Sequence, residues 1–286
     1  MTKIAVVVDG SADLPETLRT QWEIHVVPQV LVVDGERLVE GQDITSQEIY
    51  EAVSAGVPVR IGHPPPDDFR VVYKKMRREI EGIVTVTLST IFNPTLISAQ
   101  VAGITYPKIP TEVINSQHVS MGLGFVALAA AHAARKGASL EEVAQAAREA
   151  IPQIHTYFLA GNIQAPYRAH LIPRRDYLLH RPLHHVPLLR MEQGHLRTTT
   201  YVPYGSRGVE QLLREACQQA REGRLEAAVV HANAPELAQQ LRERIRAECP
   251  VQEVHMATLT PIVGLRLGPG TVGLALRELP PTGGNG

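Results

Sequence analysis

Short segments rich in apolar residues alternate with helical patterns along the first half of the chain. The first run, Ile4–Val8, has no polar alternation, which is typical of a strand buried on both faces of a parallel sheet. Further strand candidates, which include polar residues, alternate with predicted helices. The predicted strands are Ile4–Val8, Ile24–Val27, Ile83–Leu88 and Thr111–Asn115, and the predicted helices are Pro15–Gln21, Ser46–Ala55, Asp67–Glu81, Thr95–Ile104, Met121–Lys136 and Leu140–Ile151. This alternation predicts a three-layer α/β/α domain around a parallel sheet.

Short-range signals mark the ends of several predicted elements. Thr45 and Ser139 are each followed by a glutamate three residues later, which is the spacing of a helix capping box. Asp13 precedes Glu16 by the same distance, so we expect it to cap the first helix. The segment Leu31–Glu40 contains an Asp-Gly turn between two short extended pieces and predicts a hairpin.

The pattern changes after Pro152, where we place a domain boundary. Strands outnumber helices in the second half, which predicts an α+β domain with a mixed sheet. The predicted strands are His155–Leu159, Val186–Arg190, Leu196–Val202, Ala227–His231, Gln252–Ala257 and Thr271–Leu276, and the helices are Val209–Glu222 and Pro235–Glu248. We therefore expect an N-terminal α/β domain over residues 1–152, a C-terminal α/β domain with a mixed sheet over 153–280, and a disordered tail over 281–286.

Composition narrows the classes of function. The net charge of -1 leaves no basic excess to neutralise nucleic-acid phosphates, so no nucleic-acid partner is expected. The N-terminal apolar run is too short for a signal sequence or a membrane span, which predicts a cytoplasmic protein without stable membrane insertion. Cys217 and Cys249 lack metal-ligand spacing, and we expect no disulfide between them in that compartment.

Hydroxyl side chains follow the predicted strands at their carboxyl ends. Ser11 lies just beyond the first strand, Ser89 and Thr90 lie at the end of the third, and Ser120 follows the fourth. Open α/β sheets bind ligands outside these strand ends, so the hydroxyls indicate a ligand site. The alternatives are that Ser11 and Asp13 only cap a helix, and that Ser120 caps the helix after it, in a segment that serves mainly packing.

The helix predicted from Thr95 begins in a way that suits an anion. Asn93 is a favoured N-cap residue, and Pro94 suits the first helical position. Free backbone N–H groups at such a start bind carboxylates or phosphates, although an ordinary capped helix has the same sequence signal. Gly122 and Gly124, at the start of another helix, are interpreted mainly as packing positions.

A second candidate anion site lies near the C-terminus. The segment Arg266–Gly270 has two glycines flanking a proline, which predicts a tight turn whose backbone can approach a ligand. Arg266 can bind an anion through two parallel hydrogen bonds. The alternative is a plain turn with a surface arginine.

Metal and nucleophile chemistry find less support. Histidines crowd one region, at His170, His180, His184, His185 and His195. Prolines at 182 and 187 interrupt any helix that would align them as zinc ligands, so no metal is expected. The sequence contains no G-x-S-x-G, no P-loop and no G-x-G-x-x-G, so we expect neither a serine nucleophile nor a bound nucleotide.

A series of sequence blocks, in order, resembles the DegV family of bacterial fatty-acid-binding proteins. Asp9–Pro15 is similar to the family's opening D-S-x-A-D-L-P, and Gly268–Gly270 to its closing H-x-G-P-G. The intermediate blocks are Val27-Pro28 with the Asp-Gly hairpin and Glu40-Gly41, then His63–Phe69, Ser89–Ala99, Asn115–Gly124, and Val186–Leu189 with Gly194. The resemblance covers nearly the whole chain.

This resemblance implies two α/β domains with one long-chain fatty acid buried between them. It implies a carrier rather than an enzyme, which presents the acid to a partner fatty-acid kinase and needs no cofactor. Hydroxyls and backbone N–H groups would hold the carboxylate. The implied ligand-binding residues are Ser11, Ile61, Gly62, His63, Ser89, Thr90, Asn93, Thr95, Ser120, Arg266 and Gly268.

The chain departs from the family pattern in the implied ligand site. Ile61-Gly62 stands where the family has T-S, Asn93-Pro94 where it has S-G, and Arg266 where it has the terminal histidine. Arginine binds a carboxylate through charge-assisted hydrogen bonds but cannot act as a proton donor. Our hypothesis is that the head-group site is rebuilt around Arg266, Ser89 and Thr90.

Two other functions stay open. The first is a binding module of the same fold whose amphiphilic ligand has changed, which the altered site residues favour. The second is a serine-dependent acyl hydrolase using Ser11 or Ser89, although the sequence assigns neither serine a base.

Overall fold

The computed structural model describes residues 3–76, 80–106, 109–220 and 224–279. The chain divides into two compact units. The first comprises Met1–Pro152, Gln193–His195 and Thr260–Ile262, and the second comprises Gln153–Glu192, Leu196–Leu259 and Val263–Gly286. The predicted tail over 281–286 lies outside the described residues. None of the described helices combines the length and the apolar character that crossing a bilayer requires.

The first unit is built on a four-stranded parallel sheet. Its elements are β1 (Ile4–Asp9), α1 (Glu16–Gln21), β2 (Ile24–Val27), β3 (Val30–Val33), β4 (Glu36–Val39), α2 (Ser46–Ser54), β5 (Val59–Ile61), α3 (Pro66–Met76), β6 (Gly82–Thr87), α4 (Thr95–Thr105), β7 (Thr111–Asn115), α5 (Met121–Arg135) and α6 (Leu140–Ala150). The parallel sheet has the order β2-β1-β6-β7. This confirms the predicted parallel strands.

Helices cover both faces of this sheet. On one face, Ala5 and Val7 of β1 pack in a buried cluster with Phe69 and Tyr73 of α3, which α4 joins. On the other, a Cβ added at Gly82 would lie 3.0 Å from Ile4 and 3.1 Å from a methyl group of α6. Every residue of β1 is buried, as the absence of polar alternation predicted, and β6 is buried throughout as well, including Thr85 and Thr87. The three-layer α/β/α architecture is confirmed.

The capping predictions had mixed outcomes. Thr45 and Ser139 each form a complete capping box, with reciprocal side-chain and backbone hydrogen bonds. The prediction for Asp13 is wrong. A short 3-10 turn, Gly10–Ala12, follows β1, and Asp13 ends it in the left-handed region with φ 51°. Helix α1 begins after Pro15, which offers no side-chain cap.

A small antiparallel sheet extends the first unit. The predicted hairpin is present as β3 and β4, and β5 pairs on the other side of β3 to give the order β4-β3-β5. Strand β5 was not predicted. It is only three residues long and none of its residues is fully buried, so it carries no apolar run that sequence could reveal.

Beyond Pro152 the chain forms a six-stranded mixed sheet. Its elements are β8 (Ile154–Leu159), α7 (Gln164–Arg168), α8 (Arg174–His180), β9 (His185–Glu192), β10 (His195–Pro203), α9 (Ser206–Ala220), β11 (Arg224–His231), α10 (Pro235–Glu248), β12 (Val251–Thr258), α11 (Pro261–Leu267) and β13 (Val272–Leu279). The order is β10-β9-β8-β13-β11-β12, and β11 and β12 pair in parallel while β13 is antiparallel to its neighbours. The mixed sheet is as predicted, whereas the short helices α7, α8 and α11 were missed. Helix α8 buries none of its residues, so its apolar side chains form no stripe that faces the core.

The expectation about the cysteines is wrong. Cys217 of α9 and Cys249, just after α10, form a disulfide, with their Cα atoms 4.9 Å apart. Helices α9 and α10 pack side by side, and this brings together two residues that are 32 positions apart in the chain. The sequence expectation rested on how rarely disulfides occur in a presumed compartment, and nothing in the local pattern revealed the helix pairing.

Candidate functional site

A buried carboxylate organises the carboxyl end of β1. Asp9 accepts hydrogen bonds from the Ser11 N–H at 3.0 Å, from the Ser11 hydroxyl, from Gln29 Nε2 at 2.9 Å and from the Leu88 N–H at 2.7 Å. Burial raises the pKa of Asp9, and these hydrogen bonds act in the opposite direction. The network ties the ends of β1 and β6 together. It also commits the hydroxyl proton of the fully buried Ser11 to Asp9.

The end of β6 supplies two hydroxyls with different environments. Ser89 is buried, and its hydroxyl donates to the Gly194 carbonyl at 2.8 Å. Thr90 is exposed, and its hydroxyl oxygen accepts from Asn115 Nδ2 at 3.4 Å. The Thr90 hydroxyl is therefore accessible from solvent, whereas the Ser89 hydroxyl is held by a backbone carbonyl.

The start of α4 differs in detail from the prediction. The N-cap residue is Pro94, and it provides no side-chain hydrogen bond. Asn93 still acts one residue earlier, because its Oδ1 accepts from the Thr95 N–H at 3.1 Å and from the Thr95 hydroxyl at 2.6 Å. Asn93 Nδ2 donates to the Gly62 carbonyl at 3.5 Å. The structure therefore brings the segment around Gly62 to the start of α4.

The segment that contains Ile61, Gly62 and His63 offers backbone rather than hydroxyl groups. Ile61 ends β5 and pairs with Leu31, while His63 is exposed. The Gly62 N–H donates to the Val30 carbonyl at 2.9 Å, and an added Cβ at Gly62 would lie 3.0 Å from that oxygen. A larger residue at position 62 would therefore require the backbone to shift.

Ser120 precedes α5 in a strained conformation. It is buried with φ 57° and ψ -148°, a region that residues other than glycine rarely adopt. Its N–H donates to the Ser11 carbonyl at 2.9 Å. The alternative that its side chain caps α5 does not hold, since no such hydrogen bond forms. The hydroxyl instead lies close to the carboxylate of Asp13 and lowers its pKa.

A buried aspartate, Asp13, and a half-buried glutamate, Glu40, lie beside this point and were not predicted as a pair. Asp13 Oδ1 accepts from the Thr260 N–H at 2.9 Å, and burial raises the pKa of Asp13 to about 7, with the charge of Glu40 acting in the same direction. Burial likewise raises the pKa of Glu40 to about 7, although its carboxylate accepts from the Ser46 hydroxyl at 2.5 Å. The pKa of buried Tyr50 is raised well above its usual value, chiefly by desolvation and also by both carboxylates.

Arg266 and Gly268 lie in the second unit. Arg266 occupies the last turn of α11, where partial burial lowers its pKa. Gly268 and Gly270 have φ values of 89° and 95°, which confirms the predicted tight turn. A Cβ added at Gly161 would collide with the Pro269 carbonyl, so the turn packs directly on backbone.

The predicted residues thus fall into distinct groups. Ser11, Ser89, Asn93, Thr95 and Ser120 lie beyond β1, β6 and β7 at the carboxyl edge of the parallel sheet. Sequence reasoning missed Asp9 as the centre of this edge. The available signal was an aspartate directly ending a fully apolar strand, which has to find donors once it is buried.

Other features lie away from this edge. A cleft of about 1030 Å³ in the first unit is lined by Lys3, Trp22 and Gly137 among others, at the amino end of β1. In the second unit, single ligand atoms of Glu226, Glu253 and His255 lie within 4.8 Å of one another. Glu226 already accepts from His255 at 2.7 Å and pairs with an arginine of β13, so this cluster is an ion-pair network.

The chain matches one protein-family model over residues 3–279, that of the family described as uncharacterised protein, DegV family. A DegV domain-containing protein of Streptomyces coelicolor is 29% identical over 275 residues, covering 96% of this chain and 98% of that protein. Protein DegV of Bacillus subtilis is 24% identical, covering 95% of this chain and 97% of that protein.

Solved structures show the same fold. A fatty-acid-binding DegV family protein of Thermus thermophilus superposes with a TM-score of 0.87 at 24% identity, covering 97% of this chain and all of that one. DegV of Bacillus subtilis, described as a fatty acid binding protein, gives 0.86 at 22% identity over 98% and 100%. A stearic-acid-binding protein of Eubacterium ventriosum gives 0.84 at 17% identity over 97% and 98%.

Proposed function

The chain belongs to the DegV family, and we propose that it is a non-enzymatic carrier that binds one long-chain fatty acid. The observation that carries this proposal is the polar edge of the parallel sheet, where the exposed Thr90 hydroxyl accepts from Asn115 and is accessible to a ligand. Full-length membership of a family that includes fatty-acid-binding proteins supports it. We expect a cytoplasmic protein, as the sequence predicts.

The acyl chain supplies most of the binding free energy in this proposal. Each methylene removed from water contributes about 0.8 kcal/mol, so a chain of about 16 carbons contributes roughly 12 kcal/mol before ordering costs. The contacts of the carboxylate then determine the orientation of the bound acid. Thr90 is the hydroxyl best prepared to donate to a carboxylate, because Ser11 and Ser89 direct their protons to Asp9 and to the Gly194 carbonyl.

Arg266 is the proposed cationic partner of the carboxylate. A guanidinium forms two charge-assisted hydrogen bonds with a carboxylate, which a neutral histidine cannot do. We expect Arg266→Ala to weaken fatty-acid binding at least tenfold, while Arg214→Ala, which removes an exposed arginine of α9, leaves it unchanged. Equal affinity of Arg266→Ala and the parent protein would contradict this role.

The direct test is a titration of delipidated protein with palmitate and with the alcohol of the same chain length. Tight binding of the acid and much weaker binding of the alcohol is the predicted result. Comparable affinity for the acid and the alcohol would show that no group of the protein binds the carboxylate. The alternative, a family member with a changed amphiphilic ligand, would then replace the proposal. Thr90→Val should reduce the difference in affinity between the acid and the alcohol more than Ser89→Ala does.

We also propose that a fatty-acid kinase takes the bound acid from this carrier. The test is acyl-phosphate formation by such a kinase with the loaded protein as its only source of acid. The serine hydrolase alternative is disfavoured because Ser11 donates to a carboxylate and Ser89 to a backbone carbonyl, and neither donates to a histidine. Turnover of acyl esters that Ser89→Ala abolishes would revive it.

A further inference from the structure

Three buried side-chain oxygens near the carboxyl end of β1 have no hydrogen-bond partner within the described part of the chain. They are Asp13 Oδ2, Ser120 Oγ and Thr260 Oγ1. Asp13 is 7% exposed and Ser120 is 1% exposed. All three residues belong to the first unit. Buried polar atoms without partners are rare in native proteins, and a bound water or ion is the usual explanation for such a group.

These three oxygens are close to one another. The Asp13 carboxylate accepts from the Thr260 N–H at 2.9 Å through Oδ1, which places the Thr260 side chain beside it. The hydroxyls of Ser120 and Thr260 both lower the pKa of Asp13, so both lie near its carboxylate. Neither hydroxyl has the geometry of a hydrogen bond to it, since all three atoms are without partners. The oxygens therefore lie around one point without bonding to one another.

The titratable groups around this point are acidic. Glu40, which follows β4, faces Asp13 and its charge raises the pKa of Asp13, while both carboxylates raise the pKa of Tyr50 on α2. Among the described residues, neither Asp13 nor Glu40 forms an ion pair with a basic side chain. A fatty-acid carboxylate placed here would meet two like charges. Oxygen ligands of this kind instead suit a hard cation.

The balance of charge favours a monovalent ion. Ser120 precedes α5 and Thr260 precedes α11, and the amino end of a helix carries roughly half a positive charge. Two such ends offset about one of the two carboxylate charges. The cost of burying an ion rises with the square of its charge, and Mg²⁺ loses its water reluctantly, so a divalent ion is disfavoured here. We propose that Asp13 Oδ2, Ser120 Oγ and Thr260 Oγ1 bind a monovalent alkali cation, Na⁺ or K⁺.

Thermal unfolding in matched chloride salts tests the proposal. At pH 8 and constant ionic strength, KCl or NaCl should raise the melting temperature above its value in choline chloride. The effect should saturate, and should be about 3 °C at ten times the half-saturating concentration. At pH 5 the shift should vanish, because burial raises the pKa of Asp13 to about 7 and a proton then occupies its carboxylate. Asp13→Asn should abolish the shift at pH 8, whereas Asp34→Asn, at an exposed position with a similar φ of 49°, should keep it.

Two serine variants distinguish ion binding from a structural role. The Ser120 hydroxyl has no protein partner, so Ser120→Ala should not lower the melting temperature in choline chloride but should reduce the response to KCl and NaCl. The buried Ser116 hydroxyl donates to the His118 carbonyl at 3.2 Å, so Ser116→Ala, the control, should lower the melting temperature equally in all three salts. A response to only one alkali salt would identify the ion. Equal melting temperatures of the parent in all three salts would overturn the proposal, and so would a response that either Asp13→Asn or Ser120→Ala leaves intact.

Discussion

Replacing Asp13 by asparagine should make stability less dependent on pH. Burial raises the pKa of Asp13 from 3.8 to about 7. The folded state therefore holds the proton more tightly than the unfolded state, and the resulting stabilisation is fully present below pH 3.8 and lost as pH rises through 7. Asparagine cannot ionise, yet its Oδ1 can still accept from the Thr260 N–H.

The magnitude follows from the size of the shift. About three pKa units correspond to roughly 4 kcal/mol between the fully protonated and fully ionised limits. Part of this stabilisation is already lost at pH 5, so the parent protein loses roughly 2.5 kcal/mol between pH 5 and pH 8. We expect the free energy of unfolding of Asp13→Asn, relative to the parent, to rise by that amount over this interval.

Urea denaturation at a series of pH values measures the effect. The single tryptophan, Trp22, lies next to α1, so its fluorescence reports on the first unit. Asp34→Asn is the matched control, because Asp34 has a similar left-handed φ of 49° but is exposed. A difference between Asp13→Asn and the parent that is constant from pH 5 to 8 would refute the reasoning. Glu40→Gln should move the transition of Asp13 to lower pH, since it removes a repelling charge.

Two further changes test local energetics. Replacing both Cys217 and Cys249 by serine should lower the free energy of unfolding by about 3.5 kcal/mol, the chain-entropy value for a loop of this length. A reductant should lower the stability of the parent protein by the same amount, and a parent whose stability does not respond to reductant would contradict the disulfide. Ser139→Ala should cost about 1 kcal/mol by removing the capping box of α6, whereas Ser139→Thr should keep most of it, and equal losses in thermal unfolding for both would argue against capping.

The sequence predicted what short-range physics determines. The apolar run of β1 and the capping boxes at Thr45 and Ser139 each depend on residues within a few positions, so the pattern alone reveals them. Strand β5 and helix α8 were missed because neither buries an apolar face. The disulfide was missed because it depends on which helices become neighbours.

For the candidate site, too, the sequence could predict only what depends on nearby residues. Hydroxyls such as Ser11 and Ser89 could be proposed from their place after strands. The hydrogen-bond partners at this edge could not be predicted, because they are distant in sequence. Asp9, for example, accepts from the Leu88 N–H, which is 79 residues away along the chain. Asp13 was predicted to cap α1 but does not, for a related reason. Its carboxylate accepts a hydrogen bond from the N–H of Thr260, which is 247 residues away along the chain.

Mass spectrometry of what the purified protein carries tests the central claim most directly. The protein is denatured, extracted with organic solvent, and the released molecules are identified and counted against protein. The account predicts about one long-chain fatty acid per chain, because an acyl chain that contributes about 0.8 kcal/mol per methylene should survive purification. An empty protein that also fails to take up palmitate, or a bound molecule without an acyl chain, would contradict it.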